Sequence, residues 1–194
     1  MTERKATIAR TTSETDIKIA LNLDGSGNGT ARTGIPFLDH MLTLFAKHGI
    51  FDLDVSCKGD LEIDAHHSLE DCAIAFGQAL SKALADRRGI GRFGFSLPMD
   101  EAEAHVLIDL SGRPYSLFEG DFTASHIGAY PTEMTGHIFR SFADTLGAAI
   151  HVRVTGENDH HKTEACFKAF GRALRQAIQP EGAGDAMPST KGML

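Results

Sequence analysis

The residues best suited to chemistry come as a repeated pair. "HHSLE", His66 to Glu70, and "HHKTE", His160 to Glu164, each place two adjacent histidines just ahead of a glutamate. On a helix, positions i, i+3 and i+4 share a face, while immediate neighbours diverge by about 100°. Glu70 can therefore converge with His66 or with His67, but the two histidines cannot easily grip one ion together. The same holds for His160, His161 and Glu164. An adjacent pair of this kind suits two different ions, one on each side. Imidazole and carboxylate without thiolate point to Mn²⁺, Fe²⁺, Co²⁺, Ni²⁺ or Zn²⁺. Oxygen-only Mg²⁺ or Ca²⁺ sites would not recruit so many histidines.

Positioning these groups takes two similar halves. "DIKIALNLDG" alternates as a strand, "FLDHMLTLFAKHG" has helical spacing and stops at Gly49, "FDLDVSCKG" alternates again, and a long helix runs from His66. Leu69, Cys72, Ala73, Phe76, Leu80 and Leu84 would form the buried face of that helix. The order then repeats. "AHVLIDLSG" alternates, "PTEMTGHIFRSFADTLG" opens on Pro131 and closes at Gly147, "AIHVRVTG" alternates, and the second long helix carries "HHKTE". Glu14 matches Glu101 and His40 matches His137. The pattern predicts an internally duplicated α+β fold, with helices packed against two mixed or antiparallel sheets. Its halves are residues 1–90 and 91–180, meeting near Gly89 to Gly94, with a tail at 181–194. Such symmetry would build two similar metal clusters, each drawing residues from both halves. His40 and His137 join the candidate ligands; His48, His105, His126 and His151, unpaired in pattern, are read as ordinary side chains.

Composition narrows the function classes. The 194 residues carry a net charge of −7 and no run of lysine and arginine, against a nucleic-acid or anionic-membrane partner. A single small phosphate could still be held by a few cations. Three scattered cysteines, Cys57, Cys72 and Cys166, make neither a disulfide framework nor a thiolate zinc site. The N-terminus has no apolar signal core and no stretch is apolar enough to span a membrane, so a cytoplasmic protein is expected. HHxxE differs from the zincin motif, in which a glutamate lies between two histidines. "FDLDVS" only superficially matches the loop of aspartate-nucleophile phosphatases, since it lies inside an alternating strand. The glycine-rich tail "EGAGDAMPSTKGML" reads by composition as a disordered terminus.

Several motifs go beyond pattern: "GIPFLDHML", "GDLEIDAHHSLED", "DRRGIGRFG", "PMDEA", "DLSGRP", "GENDHHKTEACFKAFGRALRQA" and "STKG". Through these, in order along essentially the whole chain, the sequence resembles the imidazoleglycerol-phosphate dehydratase family of histidine biosynthesis. The resemblance implies a ribosomal protein S5 domain 2-like fold and, with no fused phosphatase domain, the monofunctional form. It implies two Mn²⁺ per active site, held by His40, His66, His67, Glu70, His137, His160, His161 and Glu164. Phosphate and substrate contacts would come from Glu14, Arg92, Arg113, Lys168, Ser189 and Lys191, the tail folding over the phosphate. The family assembles a homo-oligomeric shell of 24 subunits with active sites between them. Ala65 stands where many members carry aspartate, and Leu44 where some carry a polar residue.

The implied reaction removes water from imidazole glycerol phosphate to give imidazole acetol phosphate. Its difficulty is a poorly acidic C–H and a hydroxide leaving group. The imidazole ring offers a route, because its electrons can expel the hydroxyl once metal at the ring nitrogens favours the imidazolate. Glu14 and Glu164 are then the leading acid–base candidates, ahead of Asp100 or Glu101. A dinuclear metal hydrolase would share the histidines but not need the imidazole-specific family motifs, and a metal-storage protein would have no use for the phosphate contacts.

Overall fold

A computed structural model describes residues 3–94, 97–181, 186–191 and 194. Its elements in chain order are β1 (Lys5–Thr11), β2 (Thr15–Asn22), β3 (Gly29–Arg32), α1 (Pro36–Gly49), β4 (Asp52–Gly59), α2 (His66–Leu84), β5 (Phe93–Gly94) and β6 (Leu97–Met99). They continue with β7 (Ala102–Asp109), β8 (Tyr115–Glu119), β9 (His126–Ile127), β10 (Tyr130–Pro131), α3 (Met134–Leu146), β11 (Ala149–Thr155) and α4 (Asp159–Ala177).

One sheet has the order β1-β2-β4-β3, antiparallel except for the parallel β4–β3 pair. The other is built the same way: β7 pairs antiparallel with β5, β6 and β11, and β11 pairs parallel with β8. A parallel pair needs a crossover. α1 makes it between β3 and β4, and α3, preceded by the β9–β10 hairpin, makes it between β8 and β11. β2 and β7 alternate buried and exposed residues, so each sheet keeps one face for the core.

α1 and α2 cover the first sheet, and α3 and α4 cover the second. The two helical layers then pack on each other, α1 against α4 and α2 against α3. The result is an α+β architecture with its core between layers. Phe45, Phe76, Phe139, Phe142, Phe167 and Phe170 fill that interface, all buried. Phe45 meets Phe76 at 5.0 Å and Phe170 at 5.4 Å between ring centroids.

Each helix pair is brought close by one glycine. A Cβ on Gly171 of α4 would lie 2.8 Å from the Phe45 carbonyl oxygen of α1, and one on Gly77 of α2 would lie 1.8 Å from Thr145 Oγ1 of α3. These glycines occupy matching places in the two long helices. Gly171→Ala would press against backbone that cannot swing aside. It is expected to destabilise the fold by about 1–3 kcal/mol, the usual cost of overpacking, read as a lower midpoint in urea. An unchanged midpoint would mean the helices are not in contact there.

Two element ends depart from the pattern. Gly49 is the last residue of α1, and Ile50 adopts the left-handed conformation beyond it, at φ 57°. Glycine is needed at 49 because a Cβ there would strike the Phe51 ring at 2.2 Å. Pro131 does not open α3 but pairs with His126 in the β9–β10 hairpin, and the helix begins at Met134. At the other end of α3, Gly147 is left-handed as its position suggests, and Arg87 donates to its carbonyl at 3.1 Å. Within the tail, Gly89 N–H donates to the Ala186 carbonyl at 3.0 Å; residues 182–185, 192 and 193 lie outside the described residues.

Candidate metal centre

The helix pairing brings the ligand-type residues into two clusters. His40 of α1 meets His160 and Glu164 of α4, and His66 and Glu70 of α2 meet His137 of α3. In each cluster one ligand atom from every residue lies within 4.8 Å of the others. Each cluster joins the first half of the chain to the second. Glu164 Oε2 is 3.2 Å from His160 Nε2 and 3.8 Å from His40 Nε2. His137 Nε2 is 2.8 Å from Glu70 Oε1, and the His66 and His137 rings are 5.3 Å apart. Two imidazoles and one carboxylate converging at this spacing, without a thiolate, fit a first-row divalent ion with coordination positions left open.

His67 and His161 belong to neither cluster. Their rings stand at 80° and 85° to those of His66 and His160, so each adjacent pair faces two directions. His67 Nδ1 lies 3.0 Å from Asp60 Oδ2 and 3.8 Å from Glu14 Oε2. The Asp60 carboxylate raises the pKa of His67 above the usual imidazole range. His161 Nδ1 is 2.7 Å from Glu101 Oε2. That contact and the Asn158 amide hold Glu101 at about 2, while Glu101 in turn raises His161. Glu14 and Glu101, matched in the sequence, thus stand at matching histidines. Asp60 had no sequence signal: it lies seven residues before His67 and is brought back by the turn after β4.

The first turns of the two long helices are held differently. Asn158 caps α4, its side chain accepting from the His160 and His161 amides at 2.9 and 3.3 Å. Asp159 is buried beside Lys162, 2.5 Å away, and accepts from the Ala124 amide and from the Thr123 amide and hydroxyl. Burial works against that charge, but these donors outweigh it and hold Asp159 at about 2. Lys162 Nζ also donates to the Asp121 carbonyl at 2.7 Å. In α2 the matching residues are Ala65 and Ser68, so this pair is missing there. α2 has no side-chain cap at Ala65, although Asp64 accepts from the His66 amide at 2.7 Å. Lys162→Met should leave the buried Asp159 carboxylate without its counter-charge, held only by the Thr123 and Ala124 donors. Loss of about 3–5 kcal/mol in chemical denaturation is expected, and a loss under 1 kcal/mol would show the pair to be dispensable.

The phosphate-type residues are dispersed. Lys168 of α4 lies against the His40–His160–Glu164 cluster, its Nζ on Glu164 Oε1 and 3.3 Å from Met99 Sδ. Arg92 lies elsewhere: its amide donates to the Ala177 carbonyl at the C-terminal end of α4. From Glu164 to Ala177 is 13 residues, about 20 Å of helix. Arg92 grips Asp109 with two bonds of 2.5 and 3.0 Å and donates to the Pro188 carbonyl of the tail at 3.0 Å. Arg113 projects from the β7–β8 turn, bonded to the Ser111 carbonyl at 3.3 Å. Ser189 Oγ accepts from the Lys191 amide at 3.2 Å. One chain therefore holds metal-type donors at one end of α4 and most phosphate-type cations at the other.

A family model described as imidazoleglycerol-phosphate dehydratase matches residues 33–174. The histidine biosynthesis bifunctional protein HisB of Stenotrophomonas maltophilia is 52% identical over 191 residues, covering 98% of this chain and 53% of that protein. The protein of the same name from Actinobacillus pleuropneumoniae is 53% identical, covering 98% of this chain and 52% of its own length. The chain thus spans about half the length of these curated relatives. Among solved structures, imidazoleglycerol-phosphate dehydratase from Staphylococcus aureus aligns with a TM-score of 0.82 at 35% identity, covering 91% of this chain and 99% of that one. The enzyme from Pyrococcus furiosus, in complex with (S)-C348, aligns at 0.83 and 36%, covering 96% and 100%. No described helix is long and apolar enough to cross a membrane. Matched by the family model over most of its length and aligned along nearly all of it with two solved dehydratases, this chain belongs to the imidazoleglycerol-phosphate dehydratase family.

Proposed function

We propose that the chain catalyses the dehydration of D-erythro-imidazole glycerol phosphate to imidazole acetol phosphate in histidine biosynthesis, using two divalent ions per active site, Mn²⁺ first among them. The observation that carries this reading is the pair of three-donor clusters, with His67 and His161 turned away from both. His40, His160 and Glu164 would hold one ion, and His66, Glu70 and His137 the other. Bound there, the ions would supply Lewis acidity to an imidazole ligand and favour its anionic form.

The protein's own groups do the rest. Glu14, exposed at the β1–β2 turn and 3.8 Å from His67, is placed to move a proton on a substrate bound beside that histidine. Glu164 is a second candidate through the oxygens it turns to His40, His160 and Lys168. Burial works against its charge, but Lys168 beside it holds its pKa below the usual carboxylate range. Arg92, Arg113, Lys168, Ser189 and Lys191 would fix the phosphate, contributing orientation rather than proton transfer.

The separation of about 20 Å along α4 is too long for one small phosphate ester to bridge. His67 and His161 also face out of their own clusters. Both features favour active sites shared between copies of the chain, in a homo-oligomer of the 24-subunit kind. The free thiols of Cys57, Cys72 and Cys166 suit a reducing compartment, in keeping with a cytoplasmic location. If outward-facing histidines complete a neighbour's cluster, metal also assembles the particle. Light scattering should then show a large particle with Mn²⁺ that shrinks on chelation and re-forms when Mn²⁺ returns. A mass indifferent to metal would count against shared sites.

A further inference from the structure

The two clusters match in ligands but not in charge. Glu70 is partly exposed and its ion-pair contact is with His137, and among the described residues no lysine or arginine pairs with it. Glu164 is more buried and is engaged on both oxygens, by His160 and His40 on one and by Lys168 on the other. The residue of α2 that matches Lys168 is Ile74, eight positions after its histidine as Lys168 is after His160. With neutral imidazoles, the α2 cluster therefore carries one negative charge and the α4 cluster carries none.

We propose that Lys168 gates the α4 cluster: the α2 cluster takes its ion first, and the α4 cluster holds its ion more weakly until a phosphate anion draws Lys168 off Glu164. This rests on the two-ion reading above. A dication arriving at Glu164 meets an ammonium group across the same carboxylate. A unit charge so placed weakens a divalent ion by about tenfold even where solvent screens it well. An anion that takes over the ammonium removes the repulsion and frees a carboxylate oxygen. Metal and phosphate then tighten one another at this cluster, because coupling between two ligands is reciprocal. The α2 cluster has no such gate. The arrangement ties completion of the second metal position to arrival of a phosphate-bearing ligand.

The test is a Mn²⁺ titration of the chelated full-length protein, with free Mn²⁺ followed by electron paramagnetic resonance, with and without inorganic phosphate. Two classes of site are expected, separated by about tenfold or more. Phosphate should tighten the weaker class alone. His160→Ala should remove the weaker class and His66→Ala the tighter one. Lys168→Met should bring the two classes together and abolish the phosphate effect, while Lys168→Arg, which keeps the charge, should preserve both. Equal classes in the wild-type protein, a phosphate effect that survives Lys168→Met, or unequal classes indifferent to phosphate would each overturn the gate. Absence of Mn²⁺ binding altogether would overturn the two-ion reading itself.

Discussion

Glu164→Gln is expected to lower kcat/KM by at least about a hundredfold and to reduce the bound Mn²⁺ of the purified protein. Loss of an outer partner of a metal ligand already costs ten- to a hundredfold, and Glu164 is proposed as a ligand itself. Its carboxylate is the only group in its cluster that carries negative charge, and both of its oxygens are engaged. Glutamine keeps the volume and one acceptor oxygen but removes the charge that would attract a dication. The Asn158 cap and the Asp159–Lys162 pair lie at the start of α4 and do not depend on Glu164, so far-ultraviolet circular dichroism should be unchanged. Wild-type turnover with full metal content in this variant would exclude Glu164 from the centre.

Glu14→Gln should separate proton transfer from metal binding. Glu14 lies in an exposed turn, outside both three-donor clusters, with His67 as its ionic neighbour. Its amide should leave metal content and thermal midpoint near wild type. Turnover should fall by about 10²–10⁴, the range that a positioned acid or base contributes. The loss should appear in kcat, because the proton moves only as the reaction proceeds. Wild-type kcat would remove Glu14 from the role and turn attention to Glu101, which holds the matching place at His161.

Much of this arrangement could be read in the sequence because the chain repeats itself. Leu69, Cys72, Ala73, Phe76, Leu80 and Leu84 follow helical spacing, and all are buried in α2. The alternation of Ile17, Ile19 and Leu21 gives the buried face of β2. Two adjacent histidines on a helix must diverge, and they do. Which of each pair turns inward could not be read, because it depends on α1 approaching α4 and α3 approaching α2. Those contacts are fixed by Gly171 and Gly77, which look unremarkable in sequence. β1 was also hidden: its outward residues are mixed and its apolar alternation is weak. Pro131 suits a first helical turn or a hairpin equally, and only the pairing with His126 decides between them. Arg92 and Lys168 look equivalent as phosphate-binding cations, yet Lys168 sits at mid-helix against Glu164 while Arg92 lies at the C-terminal end of α4. Nothing in the spacing of Asp159 and Lys162 marks them as buried; their contacts with Asp121, Phe122, Thr123 and Ala124 come from a loop distant in sequence.

The proposed function of this chain is dehydration of imidazole glycerol phosphate by means of ions held at the paired histidines. The direct measurement is turnover of that substrate by exhaustively chelated protein, before and after adding Mn²⁺. Activity that is absent at first, returns with Mn²⁺, and stays absent in His160→Ala and His66→Ala is the predicted result. A protein that binds Mn²⁺ tightly but never converts the substrate, or one that converts it equally well when chelated, would contradict the account.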